Sequence, residues 1–148
     1  MSKHQFDKLF SPEEANELIP RLEVMIRDLQ GQANALRTRV NDLARFDDKL
    51  AGLDLPEAIA RYPELQPIAA RMSEVASEIE EMGCFLKDVD QGLVDFPCLI
   101  GAGEGEDEEE VVFICWQSGE PRVVAWHEID SGFSERHPLP GAPKPLLN

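Results

Sequence analysis

Val111-Val112-Phe113-Ile114-Cys115-Trp116, the turn Ser118-Gly119-Glu120-Pro121, and Arg122-Val123-Val124-Ala125-Trp126-His127-Glu128-Ile129 form the stretch that decides the fold. β-Branched and aromatic residues dominate both arms, and glycine and proline separate them, which reads as two antiparallel strands joined by a tight turn. The turn sets a register pairing Cys115 with Val124, Phe113 with Trp126 and Val112 with His127. One face then carries Val111, Phe113, Cys115, Val124 and Trp126; the other carries Val112, Ile114, Trp116, Val123, Ala125 and His127. An antiparallel sheet with one wet side alternates apolar with polar residues, and this ribbon is apolar on both sides. One face can pack on helices. The other needs the C-terminal tail, a ligand or another subunit.

Working outward, Leu93 to Ile100 reads as a third strand, with Lys8 to Phe10 as a possible fourth at the edge. Ahead of the sheet lie two helical seams. Ser11-Pro12-Glu13-Glu14 supplies a capping hydroxyl, a proline at the first helical position and a glutamate three residues past the cap. From there Ala15, Leu18, Leu22, Met25, Leu29, Ala33, Leu36, Val40 and Leu43 recur at near-heptad spacing, which predicts a helix over 11–45 with Pro20 inside it. Residues 46–65 hold Gly52, Pro56 and Pro63 and read as a crossover with one short helix. Leu65, Ile68, Met72, Val75, Ile79, Met82, Leu86 and Val89 form the second seam, predicting a helix over 66–91 that ends at Gly92. Two such stripes fold back on each other. The expected fold is therefore α+β: one domain over 1–148, a long antiparallel two-helix hairpin on a three- or four-stranded antiparallel sheet over 92–130, then an extended proline-rich tail over 131–148.

Composition narrows the partners. The 148 residues carry 14 Lys plus Arg against 29 Asp plus Glu, a formal charge of −15. That charge repels phosphate backbones and anionic lipid, so neither nucleic acid nor a membrane is an expected partner. No apolar run of about 18 residues is available to span a bilayer, and the first residues lack a secretory apolar core, so a cytoplasmic location is expected. Cys84, Cys98 and Cys115 are widely spaced without a CxxC pair. They read as buried reduced thiols, with no disulfide framework, metal ligand set or cofactor indicated. Six acids in the seven residues 104–110 read as a solvated loop.

Few residues are arranged for chemistry. Gly101-Ala102-Gly103-Glu104-Gly105 lacks the spacing of a phosphate loop, and Asp88-Val89-Asp90-Gln91-Gly92 lacks the glutamate of a calcium loop. Neither predicted helix contains a histidine, which removes a di-iron bundle. A cluster remains at the end of the last strand, where His127, Asp130 and Arg136 could supply a base, an orienting acid and a cation for an anionic group. Asp95, a lone charge in an apolar strand, stands about 16 Å from His127 if Ile100 pairs with Val111. It then reads as a cap or as an ion-pair partner for Arg136 or Arg122.

Several of these stretches, taken together, carry a resemblance. Ser11-Pro12-Glu13-Glu14-Ala15-Asn16-Glu17-Leu18-Ile19-Pro20, Lys87 to Pro97, Cys115-Trp116 with Gly119-Glu120-Pro121, and Trp126-His127-Glu128 with Gly132-Phe133 and Arg136 resemble the bacterial domain-of-unknown-function family 2203. The likeness runs from about Phe10 to Leu139. It implies a small cytoplasmic protein with no assigned activity. If the recurrent polar and aromatic positions mark a site, its members here are Asp95, Trp116, Glu120, Trp126, His127 and Arg136. From the two apolar sheet faces and the exposed flanks of the hairpin, independently of the resemblance, the function expected is a non-catalytic homo-oligomeric or partner-binding scaffold, a homodimer being its simplest form. The alternative is a small-molecule- or metal-dependent enzyme using His127, Asp130 and Arg136.

Overall fold

A computed structural model describes residues 6–101 and 109–139. Helix α1 spans Pro12–Ala44, 33 residues, and starts where the cap predicts. The Glu14 N–H donates to Ser11 Oγ at 3.1 Å, and the Ser11 N–H donates to Glu14 Oε1 at 2.9 Å. Proline at the first position costs no hydrogen bond, and the helix continues through Pro20. Its buried stripe is Ala15, Ile19, Leu22, Met25, Ile26, Leu29 and Ala33, wider than a heptad seam, because this part of α1 faces both a second helix and the sheet. Leu36, Val40 and Leu43 pack elsewhere, on Leu50, Ala58 and Leu65 of the crossover.

That crossover is folded. Helix α2, Leu55–Arg61, repeats the same cap, with Glu57 N–H donating to Asp54 Oδ1 and Asp54 N–H to Glu57 Oε1. Asp47, buried at its base, accepts from Arg61 and, at 2.6 Å, from the Tyr62 hydroxyl. Helix α3 follows over Gln66–Glu81 and lies antiparallel to α1, with Arg71 paired to Asp28 at 2.8 Å and Glu64, just ahead of α3, paired to Arg39 further along α1.

The second helix is shorter than the expected 66–91. Gly83 ends it in the left-handed region at φ +100°. Phe85–Asp88 then form strand β1, an edge strand unforeseen in the seam because Leu86 fits both periodicities. Gly92 sits in the turn from β1 to β2, not at a helix end. Strands β2 (Leu93–Gly101), β3 (Glu109–Gln117), β4 (Ala125–His127) and β5 (His137–Pro138) complete a five-stranded antiparallel meander in the order β1-β2-β3-β4-β5. The expected three or four strands become five. Residues 8–10 form no strand, but the Phe10 N–H donates to the Pro97 carbonyl at 2.7 Å. That contact lies past the end of β1, where a strand proline lacking its N–H is tolerated. The tail is not wholly extended, since Phe133–Glu135 make one 3-10 turn before β5. Residues 102–108, most of the acidic loop, and 140–148, the rest of the tail, lie outside the described residues. No described helix is long and apolar enough to cross a membrane.

Two registers differ from expectation by one residue. Ile100 pairs with Glu110, Leu99 with Val111, and Asp95 with Cys115. Cys115 pairs with Ala125, Ile114 with Trp126 and Phe113 with His127. A one-residue slip turns every side chain of a strand to the other face. Trp126 therefore joins Val112, Ile114 and Trp116 toward the helices, while Ala125 and His127 join Phe113 and Cys115 on the far side. The connection from β3 to β4 is longer than a hairpin turn and is tied to α1. Ser118 Oγ and Gly119 N–H donate to Glu23 at 2.6 and 2.8 Å, and Val123 N–H donates to Asn16 Oδ1 at 2.8 Å.

Three outcomes test this account. Gly92 has φ +68°, and a Cβ there would lie 2.5 Å from Ser118 Cβ and 3.3 Å from Ile26 Cγ2. Gly92→Ala is therefore expected to cost about 1–3 kcal/mol in urea unfolding. Gly31→Ala, in α1 with open space around it, is expected to gain about 0.5–1 kcal/mol. Hydrogen bonds from Arg61 and Tyr62 hold the Asp47 carboxyl down to about 2 from the ordinary 3.8. Because the folded value is the lower one, the stabilisation is complete above about pH 4 and disappears as pH falls through about 2. Melting temperatures of wild type and Asp47→Asn should thus differ at neutral pH and converge in strong acid.

Candidate functional site

The sheet face turned away from the helices holds a polar centre. Phe85, Asp95 and Cys115 are successive cross-strand partners on β1, β2 and β3, and Phe113 and His127 are partners on β3 and β4. With the observed register, Asp95 and His127 lie on a short diagonal across Cys115. Asp95 Oδ2 is 3.1 Å from His127 Nε2, a dyad where the expected register placed about 16 Å between the two residues. Both side chains are buried, at 4% and 2% exposure, and Cys115 is at 1%. One ligand-type atom from each of Asp95, Cys115 and His127 lies within 4.8 Å of the others.

The imidazole is oriented from behind. His127 Nδ1 is 2.8 Å from the Glu128 carbonyl, which can only accept, so Nδ1 carries a hydrogen and Nε2 is the nitrogen turned to Asp95. Burial pushes the Asp95 carboxyl above its ordinary value, against the opposing pull of His127 and Lys87. Burial likewise pushes the Cys115 thiol up to about 11, although Arg136 favours the thiolate.

Aromatic side chains and an ion pair close the face over this centre. The Phe6 ring stands edge-on to Phe85 and Phe113, with centroids 5.7 and 5.8 Å away. Phe113 in turn lies 5.6 Å from the His127 ring, and the Lys87 ammonium is 4.8 Å from the Phe113 centroid. On the other flank Phe133 packs on Cys115, Val124 and Ala125, with the Arg136 guanidinium 4.1 Å above its ring. Arg136 pairs with Glu120 at 3.1 Å and reaches Cys115 Sγ at 4.0 Å. The centre of this face is thus covered by the segments around Phe6 and Phe133, while Leu99 toward one end of the face is 43% exposed.

Of the residues singled out from sequence, Asp95 and His127 meet directly, and Glu120 and Arg136 form the adjacent pair. Arg136 binds Glu120, not Asp95, and Arg122 is exposed. Trp116 and Trp126 belong to the helix-facing side. Trp116 is fully buried and donates Nε1–H to the Glu120 carbonyl at 2.8 Å, and Trp126 lies 4.7 Å from the His137 ring. Asp130 is exposed in the turn after β4. Cys115 is the member that sequence reasoning missed. Its only signal is the register that sets it opposite Asp95.

These features define a class: an α+β protein whose antiparallel meander carries helices on one face and, on the other, a carboxylate, an imidazole and a thiol sealed beneath the chain's terminal segments. The chain belongs to the family of uncharacterised conserved proteins DUF2203, whose family model matches residues 8–139. No curated protein and no solved structure matches it.

Removing one partner of the buried pair strands the other. His127→Ala is expected to cost about 3–5 kcal/mol in urea unfolding. Arg122→Ala, at an exposed position, should stay within about 0.5 kcal/mol.

Proposed function

We propose that the protein works by binding, as a non-catalytic cytoplasmic scaffold that self-associates through its helical layer. The observation that carries this reading is where apolar surface is left open. The centre of the second sheet face is buried, with Leu99 toward one end of that face 43% exposed; Phe46, just past the end of α1, is 92% exposed and Val24, on α1, is 68% exposed. Self-association would take these side chains out of water. Val24 stands on a helix of 33 residues, about 50 Å long, braced by α3 and by the folded crossover.

A catalytic reading built on His127, Asp130 and Arg136 draws less support. Asp130 is turned to solvent, and Arg136 is engaged by Glu120.

Light scattering behind a sizing column tests the scaffold. At tens of micromolar, wild type is expected at twice the chain mass of 16.6 kDa, and Phe46→Ser together with Val24→Ser at the single-chain mass with unchanged melting. A monomeric wild type defeats the self-association reading.

A further inference from the structure

We propose that Asp95, Cys115 and His127 form a binding site for one divalent transition-metal ion of the zinc class. Three strands contribute one donor each, and the set mixes carboxylate oxygen, thiolate sulfur and imidazole nitrogen, the donor types that zinc and cobalt(II) accept together. Their atoms already lie within 4.8 Å of one another. Around a tetrahedral ion with bonds of about 2.0–2.3 Å, neighbouring donors stand about 3.3–3.5 Å apart. The Nε2 to Oδ2 separation of 3.1 Å is close to that size, and Sγ lies within 4.8 Å of both donors.

The surroundings suit such an ion. His127 gives its Nδ1–H to the Glu128 carbonyl at 2.8 Å, the backing that holds a metal-ligating imidazole in one tautomer with the other nitrogen free to coordinate. Arg136, 4.0 Å from Sγ and anchored by Glu120, provides positive charge beside the developing thiolate. A dication also cancels one carboxylate and one thiolate, leaving the centre neutral, which a nearly dry location favours. Binding displaces the thiol proton and the proton held between Asp95 and His127, both of which leave to solvent. The second carboxylate oxygen of Asp95 or a water completes four-coordination. Cys84 and Cys98 are not part of this set: the Cys84 thiol donates to the Ile79 carbonyl at 3.3 Å, and Cys98 Sγ lies 3.9 Å from the Leu99 carbonyl on the opposite sheet face. The site is independent of the scaffold reading, because it lies in a sealed interior rather than on the helical layer.

Metal-free full-length protein titrated with cobalt(II) decides the matter. One equivalent is expected to bind, producing visible bands of tetrahedral intensity and a near-ultraviolet thiolate-to-cobalt band, both abolished by one equivalent of zinc. Cys115→Ser should remove the near-ultraviolet band, and Asp95→Asn should weaken binding at least about 10-fold. X-ray absorption on zinc-loaded wild type reads the shell without any variant, and one sulfur with nitrogen or oxygen neighbours is expected. Absence of stoichiometric cobalt binding, a sulfur-free or multi-sulfur shell, or a thiolate band that survives Cys115→Ser overturns the proposal.

Discussion

The hydrogen bonds by which Asn16 and Glu23 of α1 hold Val123, Ser118 and Gly119 determine where β4 begins, and therefore which of its faces is buried. A two-residue hairpin would have closed the ribbon one register earlier and sent His127 toward the helices. Because the connection is drawn onto α1, β4 starts at Ala125, and His127 emerges beside Cys115 and Asp95. Side chains alternate along a strand, so a shift of one residue suffices to exchange an apolar core position for a place in the polar centre. The close approach of the two loops at Gly92, whose carbonyl accepts the Ser118 N–H at 2.9 Å, reinforces the same arrangement.

The sheet then has two unlike interiors. Toward α1 and α3 it buries Val94, Phe96, Cys98, Val112, Ile114 and Trp116, a continuous apolar layer in which each fully buried large side chain contributes about 1.5–3 kcal/mol. Away from the helices it buries a carboxylate, an imidazole and a thiol under Phe6, Phe113 and Phe133. Polar groups there must satisfy one another, and they do: Asp95 meets His127, His127 meets the Glu128 carbonyl, and Arg136 meets Glu120.

The long helix links the two halves of the molecule. Its first two-thirds cover the sheet, and its last turns anchor the crossover through Leu36, Val40 and Leu43. A crossover rich in proline and glycine reads from sequence as irregular. Its order comes from Asp47 drawing in Arg61 and Tyr62, side chains about 15 residues ahead that no local rule connects to it.

Much was legible without coordinates wherever local chemistry decides the outcome: the cap at Ser11, the amphipathic run of α1, the short helix in the crossover, and the strands around Phe96, Ile114 and Trp126. Family membership was legible too, because the stretches around Ser11, Asp95, Trp116 and His127 together are distinctive. The end of α3 was not, since Leu86 and Val89 satisfy a helical seam as well as a strand and its turn, and the conformation of Gly83 settles between them. Nor was the centre. Asp95, Cys115 and His127 are far apart in the chain, and their meeting depends on two strand registers, each set by contacts between residues distant in sequence. Sequence alone determines which segments are helix or strand and which residues could do chemistry, because those are properties of neighbours along the chain. Which side chains face one another across the sheet is a property of tertiary packing, and here α1 decides it.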